Sequence, residues 1–158
     1  MSQHSQELKA ALAESRQHLN HVLDQVGERW DTQVYTEGAA WTVGQLAIHL
    51  MISDKGQTNT AMAIARGEDL IPADFDLERY NRRSVEKRAD TTMADVRKGL
   101  AESFAEREVW LDTLDDAALE KRGRHGSGRI LSVAEIMRVM ADHERAHADD
   151  IAKVLNIQ

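Results

Sequence analysis

The sequence predicts an all-α protein whose long helices pack as a bundle, and two observations carry that expectation. Aromatic residues make up only 4% of the chain and β-branched residues are sparse, whereas Ala, Leu, Glu and Arg, all good helix formers, are abundant. Apolar residues also recur at steps of three and four across windows far longer than a strand. At 158 residues the chain is expected to form one domain, residues 1–158, with a sizeable core. A net charge of −7 argues against nucleic acid as the partner. No apolar run approaches a membrane span and no signal peptide opens the chain, so the expected setting is cytoplasmic. Cysteine is absent, which excludes disulfides, a thiol nucleophile and thiolate metal ligands together.

The first helix is expected from about Gln3 to Gln25, stopping near Gly27. Leu8, Leu12, Ser15, Leu19, Val22 and Val26 form its inward seam. His18 sits at the flank of that seam and His21 on its polar side, so both read as solvated rather than as metal ligands. Trp30 to Ala40 is a connector, followed by Trp41. Thr42-Val43-Gly44-Gln45 is then a capping box that opens the second long helix, with Trp41 placed to staple onto Leu46. Seven residues in comes His49, sharing a face with Leu46, Ile52, Ser53, Gly56, Thr60 and Ala63. The small side chains beyond His49 leave either close helix packing or a cavity, and a mid-helix glycine such as Gly56 costs stability.

A polar segment from Gly67 to Asp90 carries the single proline, Pro72, and a short helix from Asp76 to Arg88. The third long helix begins near Thr92, with Asp95 at the capping position, and reaches about Leu114; Val96, Leu100, Phe104 and Leu111 are among its core residues. Between Asp115 and Ile130 lies the basic, glycine-rich stretch Lys121-Arg122-Gly123-Arg124-His125-Gly126-Ser127-Gly128-Arg129. It lacks the strand and the Gly-Lys-Ser/Thr of a phosphate loop. It reads as a solvated connector, or as a rim on which Arg122, Arg124 and Arg129 hold a ligand carboxylate. Ser132-Val133-Ala134-Glu135 is a second capping box, with Leu131 and Ile136 its staple, and opens the last long helix.

That last helix contains Asp142-His143-Glu144-Arg145-Ala146-His147. Histidines four apart share one helical face and can grip one metal ion. His143 and His147 fall inside the apolar stripe of Ile136, Val139, Met140, Ile151 and Val154. They are either core histidines satisfied by neighbours or a pair sharing a metal, since every buried imidazole nitrogen needs a partner. The string also spells H-E-x-x-H, the zincin protease signature. A zincin needs a third ligand downstream, however, and the eleven residues after His147 hold no His, Glu or Cys. The protease reading therefore fails, and a third ligand has to come from upstream, where His49 is the other inward-facing histidine. His49 lies seven residues into its helix, and His143 and His147 lie eleven and fifteen residues into theirs. Antiparallel second and last helices bring the three rings to one level. The Gly67 to Asp90 crossover is long enough to return along the bundle and make the second and third helices parallel.

Trp41-Thr42-Val43-Gly44-Gln45-Leu46-Ala47-Ile48-His49-Leu50 resembles the W-[ST]-x-x-E-x-x-x-H-L signature of the DinB/YfiT-like family, with Gln45 where Glu is usual. His143-Glu144-Arg145-Ala146-His147 resembles that family's closing H-x-x-x-H helix, and Phe75-Asp76-Leu77-Glu78-Arg79-Tyr80-Asn81 its middle segment. The resemblance implies a four-helix bundle, often a homodimer, whose helix 2–helix 3 crossover contains the short helix. It implies a divalent metal, nickel or zinc, on His49, His143 and His147. It also implies a small-molecule substrate, with relatives that act as S-transferases or isomerases on low-molecular-weight thiols and others described as hydrolases.

Three imidazoles leave an open metal position, the arrangement of catalytic rather than structural sites. A chain without cysteine would receive its thiol as cosubstrate, so thiol S-transfer onto a small electrophile is the leading expectation. A metal-dependent hydrolase of a small substrate, or a non-enzymatic metal-bearing bundle that binds a ligand, are the alternatives. Ser53, Gly56 and Asn81 are the expected substrate-binding residues. Glu144, Asp54 and Asp150 lie near the histidine helices and could orient imidazoles or move protons, Asp150 being nearest the ligand face. Glu144 lies at the edge of that face, where a solvated charge is the alternative.

Overall fold

The computed structural model describes residues 2–158 and contains six helices and one two-stranded hairpin among them. Four helices are long: α1 (Gln3–Leu23), α2 (Val43–Ala65), α4 (Met93–Asp112) and α6 (Val133–Leu155). Between them lie α3 (Leu77–Lys87), α5 (Asp116–Leu119) and the strands β1 (Arg122–Arg124) and β2 (Ile130–Ser132). Each long helix starts on a hydroxyl that accepts a backbone N–H of its first turn: Ser2, Thr42, Thr92 and Ser132. At Thr42 and Ser132 the bond is returned, by Gln45 Oε1 (3.0 Å) and Glu135 Oε1 (2.9 Å), so both capping boxes are complete. Asp76 caps α3, the short helix expected in the crossover. No helix among the described residues is long and apolar enough to cross a membrane.

Side-chain partners fix the helix directions. Arg107 on α4 reaches Asp54 and Thr58 on α2, and Gly99 lies against Met51, so α2 and α4 run parallel. Lys121, just before β1, bonds the carbonyl of Ala65 at the end of α2, while His49 near its start meets His143. Helices α2 and α6 are therefore antiparallel, as the residue counts predict. Ser15 bonds the Ala141 carbonyl and His18 pairs with Asp149, which makes α1 and α6 parallel. Around the bundle the neighbours run α1, α6, α2, α4, so the consecutive helices α1 and α2 lie across the core from each other.

The expected loop at 121–129 is instead a hairpin. Strands β1 and β2 pair antiparallel, with Gly123 opposite Leu131, and the turn closes through Gly128 at a φ of 87°. Three-residue strands are too short to show an alternating pattern, and the pairing is enforced from outside. Gly123 sits where a Cβ would stand 2.6 Å from Cγ1 of Ile64, and Lys121 O accepts the N–H of Val133 at 3.0 Å. The hairpin thus ties the end of α2 to the start of α6.

The apolar core comes in two parts. One gathers Leu19, Val22, Leu46, Leu50, Val96 and Ile151; the other gathers Leu8, Leu12, Ile64, Leu111, Ile136 and Met137. Between them lies a layer of buried charge, Arg16, Asp54, Arg107 and Glu144, with one residue from each long helix.

Candidate metal centre

His49 projects from the second turn of α2, and His143 and His147 from successive turns of α6. Their side chains converge. His49 Nε2 lies 3.2 Å from His143 Nε2, and His147 Nε2 lies 3.0 Å from the same atom. One ring nitrogen from each of the three falls within 4.8 Å of the others. The rings stand nearly perpendicular to one another, at 77°, 85° and 89°, so the nitrogens meet without ring overlap. Trp41 stacks on His49 with centroids 4.6 Å apart. It also packs against the cluster that contains Leu46, the residue it was expected to staple.

Burial, with His143 and His147 nearby, pushes the pKa of His49 down to about 3. Burial first, and His147 second, pushes His143 down to about 4. His147 is lowered by burial, against the pull of Asp150. All three are neutral near pH 7 and carry lone pairs toward a shared point. Nitrogens held by one tetrahedral ion at about 2.0–2.1 Å lie about 3.3–3.4 Å apart, and about 2.8–3.0 Å apart around an octahedral one. The observed 3.0 and 3.2 Å to His143 fall within that span, and the third pair lies within 4.8 Å.

The connector before α2 contributes a residue that the sequence did not single out. Residues 33–42 fold back on themselves through a bridge between Gln33 and Thr42, which carries Tyr35 to the end of α6. Tyr35 donates its phenol proton to Asp150 Oδ2 and accepts from His147 Nδ1–H at 2.7 Å. That assignment leaves the lone pair of His147 on Nε2, facing the other histidines. Burial, and then Asp150, raise the Tyr35 pKa well above its ordinary value, so the phenol keeps its proton.

A cavity of about 320 Å³ opens beside His49 and His143. The expected substrate residues Ser53, Gly56 and Asn81 all lie on its wall. Ile52, Leu77 and Val139 make that wall largely apolar, and half-exposed Leu70 and Tyr80 stand at its mouth. The hairpin supplies His125 and Gly126, with no arginine on the lining. Arg122 turns away to Glu135 (2.9 Å) and the Ile130 carbonyl, and Arg129 is exposed. None of Arg122, Arg124 and Arg129 lines the cavity, so the expected arginine rim is absent from its wall.

A model of the DinB superfamily matches residues 11–151. The chain belongs to the DinB superfamily. Among solved structures it is similar to YfiT from Bacillus subtilis, described as a probable metal-dependent hydrolase with an unusual four-helix bundle topology. The two are 19% identical, with a TM-score of 0.76 over 99% of this chain and 89% of that one, a likeness of fold. No curated protein matches the chain.

Within this DinB bundle the acidic residues divide. Asp150 reaches the histidines through Tyr35, but Glu144 and Asp54 do not act on them. Glu144, expected at the edge of the ligand face, is buried and bonds Arg16 at 2.9 and 3.2 Å and Ser15 at 3.3 Å. Asp54 Oδ1 accepts from Arg107 at 2.7 Å and Arg16 at 3.2 Å, leaving Oδ2 buried without a partner. The Phe104 ring packs against both guanidinium groups, its centroid 5.2 Å from Arg16 and 5.3 Å from Arg107. The signal was present: Arg16 and Arg107 each sit four residues from a core leucine, Leu12 and Leu111. His18 and His21 pair with Asp149 and the Gln158 carbonyl at the surface, away from the triad.

Proposed function

We propose that this DinB protein is a metal-dependent hydrolase of a small molecule bound in the cavity beside His49, His143 and His147. The observation that carries the reading is the convergence of three neutral imidazole nitrogens at a point where two of the rings, His49 and His143, line an open cavity. The description of the Bacillus subtilis YfiT structure as a probable metal-dependent hydrolase supports it. Thiol S-transfer, expected from the resemblance, takes second place because the arginines assigned to the thiol's carboxylate do not line the cavity.

The donor set suits zinc or nickel. Bound there, a divalent metal supplies Lewis acidity toward a carbonyl or water at its open position. The protein's part is preparation. Tyr35 and Asp150 hold the His147 proton on Nδ1, and Trp41 shields one face of His49. Glu144, with its oxygens committed to Arg16 and Ser15, is not available as a base.

Elemental analysis after dialysis tests the ligand set. The wild type should hold close to one divalent ion per chain, and alanine at position 49, 143 or 147 should remove it. Full occupancy in all three variants would end the reading. Loaded protein should cleave neutral esters or amides without added thiol. Turnover that appears only with a thiol would replace the hydrolase by an S-transferase.

A further inference from the structure

The cavity wall contains no Asp, Glu, Lys or Arg. In the polar layer nearby Arg16, Arg107, Glu144 and Asp54 Oδ1 bond one another, Asp54 lies off the cavity lining, and no hairpin arginine is on it. A charged group in the body of a ligand would lose its water and meet no countercharge there, a costly exchange. Three of the polar groups that face the cavity, His125, Gln57 and Ser53, are linked by hydrogen bonds, and their order has a direction.

It begins outside the cavity. The backbone N–H of Ser127 donates to His125 Nδ1 at 3.2 Å, which makes Nδ1 the acceptor and leaves the ring proton on Nε2. That Nε2–H donates to Gln57 Oε1 at 2.8 Å. With its oxygen so engaged, the Gln57 amide points its NH2 at Ser53 Oγ, 3.0 Å away. Ser53 is thereby an acceptor on one side. Its own hydroxyl proton has no acceptor among the described residues, whereas Thr60 on the same helix donates back to the Gly56 carbonyl. Ser53 lies four residues after His49, one helical turn away and about 5–6 Å between Cβ atoms.

We propose that the cavity selects an uncharged acyl ligand, and that Ser53 donates its hydroxyl proton to a carbonyl oxygen of that ligand. His125 and Gln57 are positioning residues that force Ser53 to act as a donor. This assignment deepens the hydrolase reading and rests on it for the word substrate, but the selection itself is a property of binding.

Binding of matched probes to the metal-free and metal-loaded full-length protein tests it by calorimetry: 3-phenylpropanamide, 3-phenylpropanoate, 3-phenylpropylamine and 4-phenyl-2-butanone. The amide and the ketone, which both offer a carbonyl oxygen, should bind metal-free protein more tightly than either charged probe. Ser53→Ala should weaken the ketone about five- to tenfold, the range of one hydrogen bond. Gln57→Glu supplies the readout that a merely structural role would not give. A carboxylate at 57 accepts from both His125 and Ser53, so the Ser53 proton turns away from the ligand and the ketone loses affinity to the same degree. Ser53→Ala combined with Gln57→Glu should lose no more than either alone. Melting curves separate misfolding from lost binding, and Gln57→Leu, which offers Ser53 no competing acceptor, should lose less ketone affinity than Gln57→Glu. Equal binding of the carboxylate and the amide by metal-free protein would overturn the inference. So would unchanged ketone affinity in a Gln57→Glu protein that melts normally. Absent turnover with this binding pattern intact would strike the hydrolase reading alone.

Discussion

At the scale of single residues, the arrangement around His147 makes Tyr35 a support for that ring in the proposed metal site rather than a bystander. Its phenol is bonded to both Asp150 and His147 Nδ1. Removing such a partner costs metal affinity by about ten- to a hundredfold. Tyr35→Phe should therefore bind zinc at least about tenfold more weakly in competition with a chromophoric chelator, while the fold is kept. The three histidines also set an acid limit for the metal-free protein. Their folded pKa values lie below the ordinary 6.5, near 3 for His49 and 4 for His143. Below pH 6.5 the unfolded chain takes up protons that the folded chain refuses, so stability falls as pH drops from about 6.5 toward 4 and is flat above. Thermal melts across that range should show the slope, and replacing His49 and His143 with Gln should flatten it. Motif spacing made His49, His143 and His147 legible, because capping boxes at Thr42 and Ser132 let residues be counted inward. Tyr35 was not legible: it lies in a connector with no periodicity, and a fold-back at Gln33 and Thr42 alone brings it to α6.

At the scale of elements, the long helices could be read from their caps and seams, and α3 was found from Asp76 onward. The hairpin could not, since three-residue strands carry no pattern and their pairing depends on Ile64 of α2. Gly123 gives the test. A Cβ there would stand 2.6 Å from Ile64 Cγ1 and 3.0 Å from its Cδ1. Gly123→Ala should cost about 1–3 kcal/mol, the range for overpacking, in urea denaturation. Ile64→Ala, which opens that space, should make the second substitution cheaper than in the wild type, and strict additivity would contradict the contact. Since His125 rides on this hairpin, a shift of β1 should also reach the cavity wall.

At the scale of the whole molecule, the buried layer of Arg16, Asp54, Arg107 and Glu144 joins all four long helices between two apolar clusters. Sequence periodicity marks such positions as inward but does not say which distant partner meets them. Truncating one member leaves a buried charge unpaired, at about 3–5 kcal/mol. Glu144→Leu should lose that much in urea denaturation, and Arg16→Met in the same chain should recover most of it. Metal stoichiometry should survive Glu144→Gln, because Glu144 faces the arginine and not the imidazoles; loss of the ion would contradict that placement.

Arg16 meets Glu144 across 128 residues of chain, and α1 packs lengthwise on α6. During translation the guanidinium of Arg16 emerges long before the carboxylate that it meets. Until α6 leaves the ribosome, α1 has lost its widest neighbour, His49 has neither companion, and a cation would have to be buried without its principal anion. The nascent chain should therefore stay open until α6 has emerged and then close in one cooperative event, slowly for an all-helical protein because so many contacts join segments far apart in sequence.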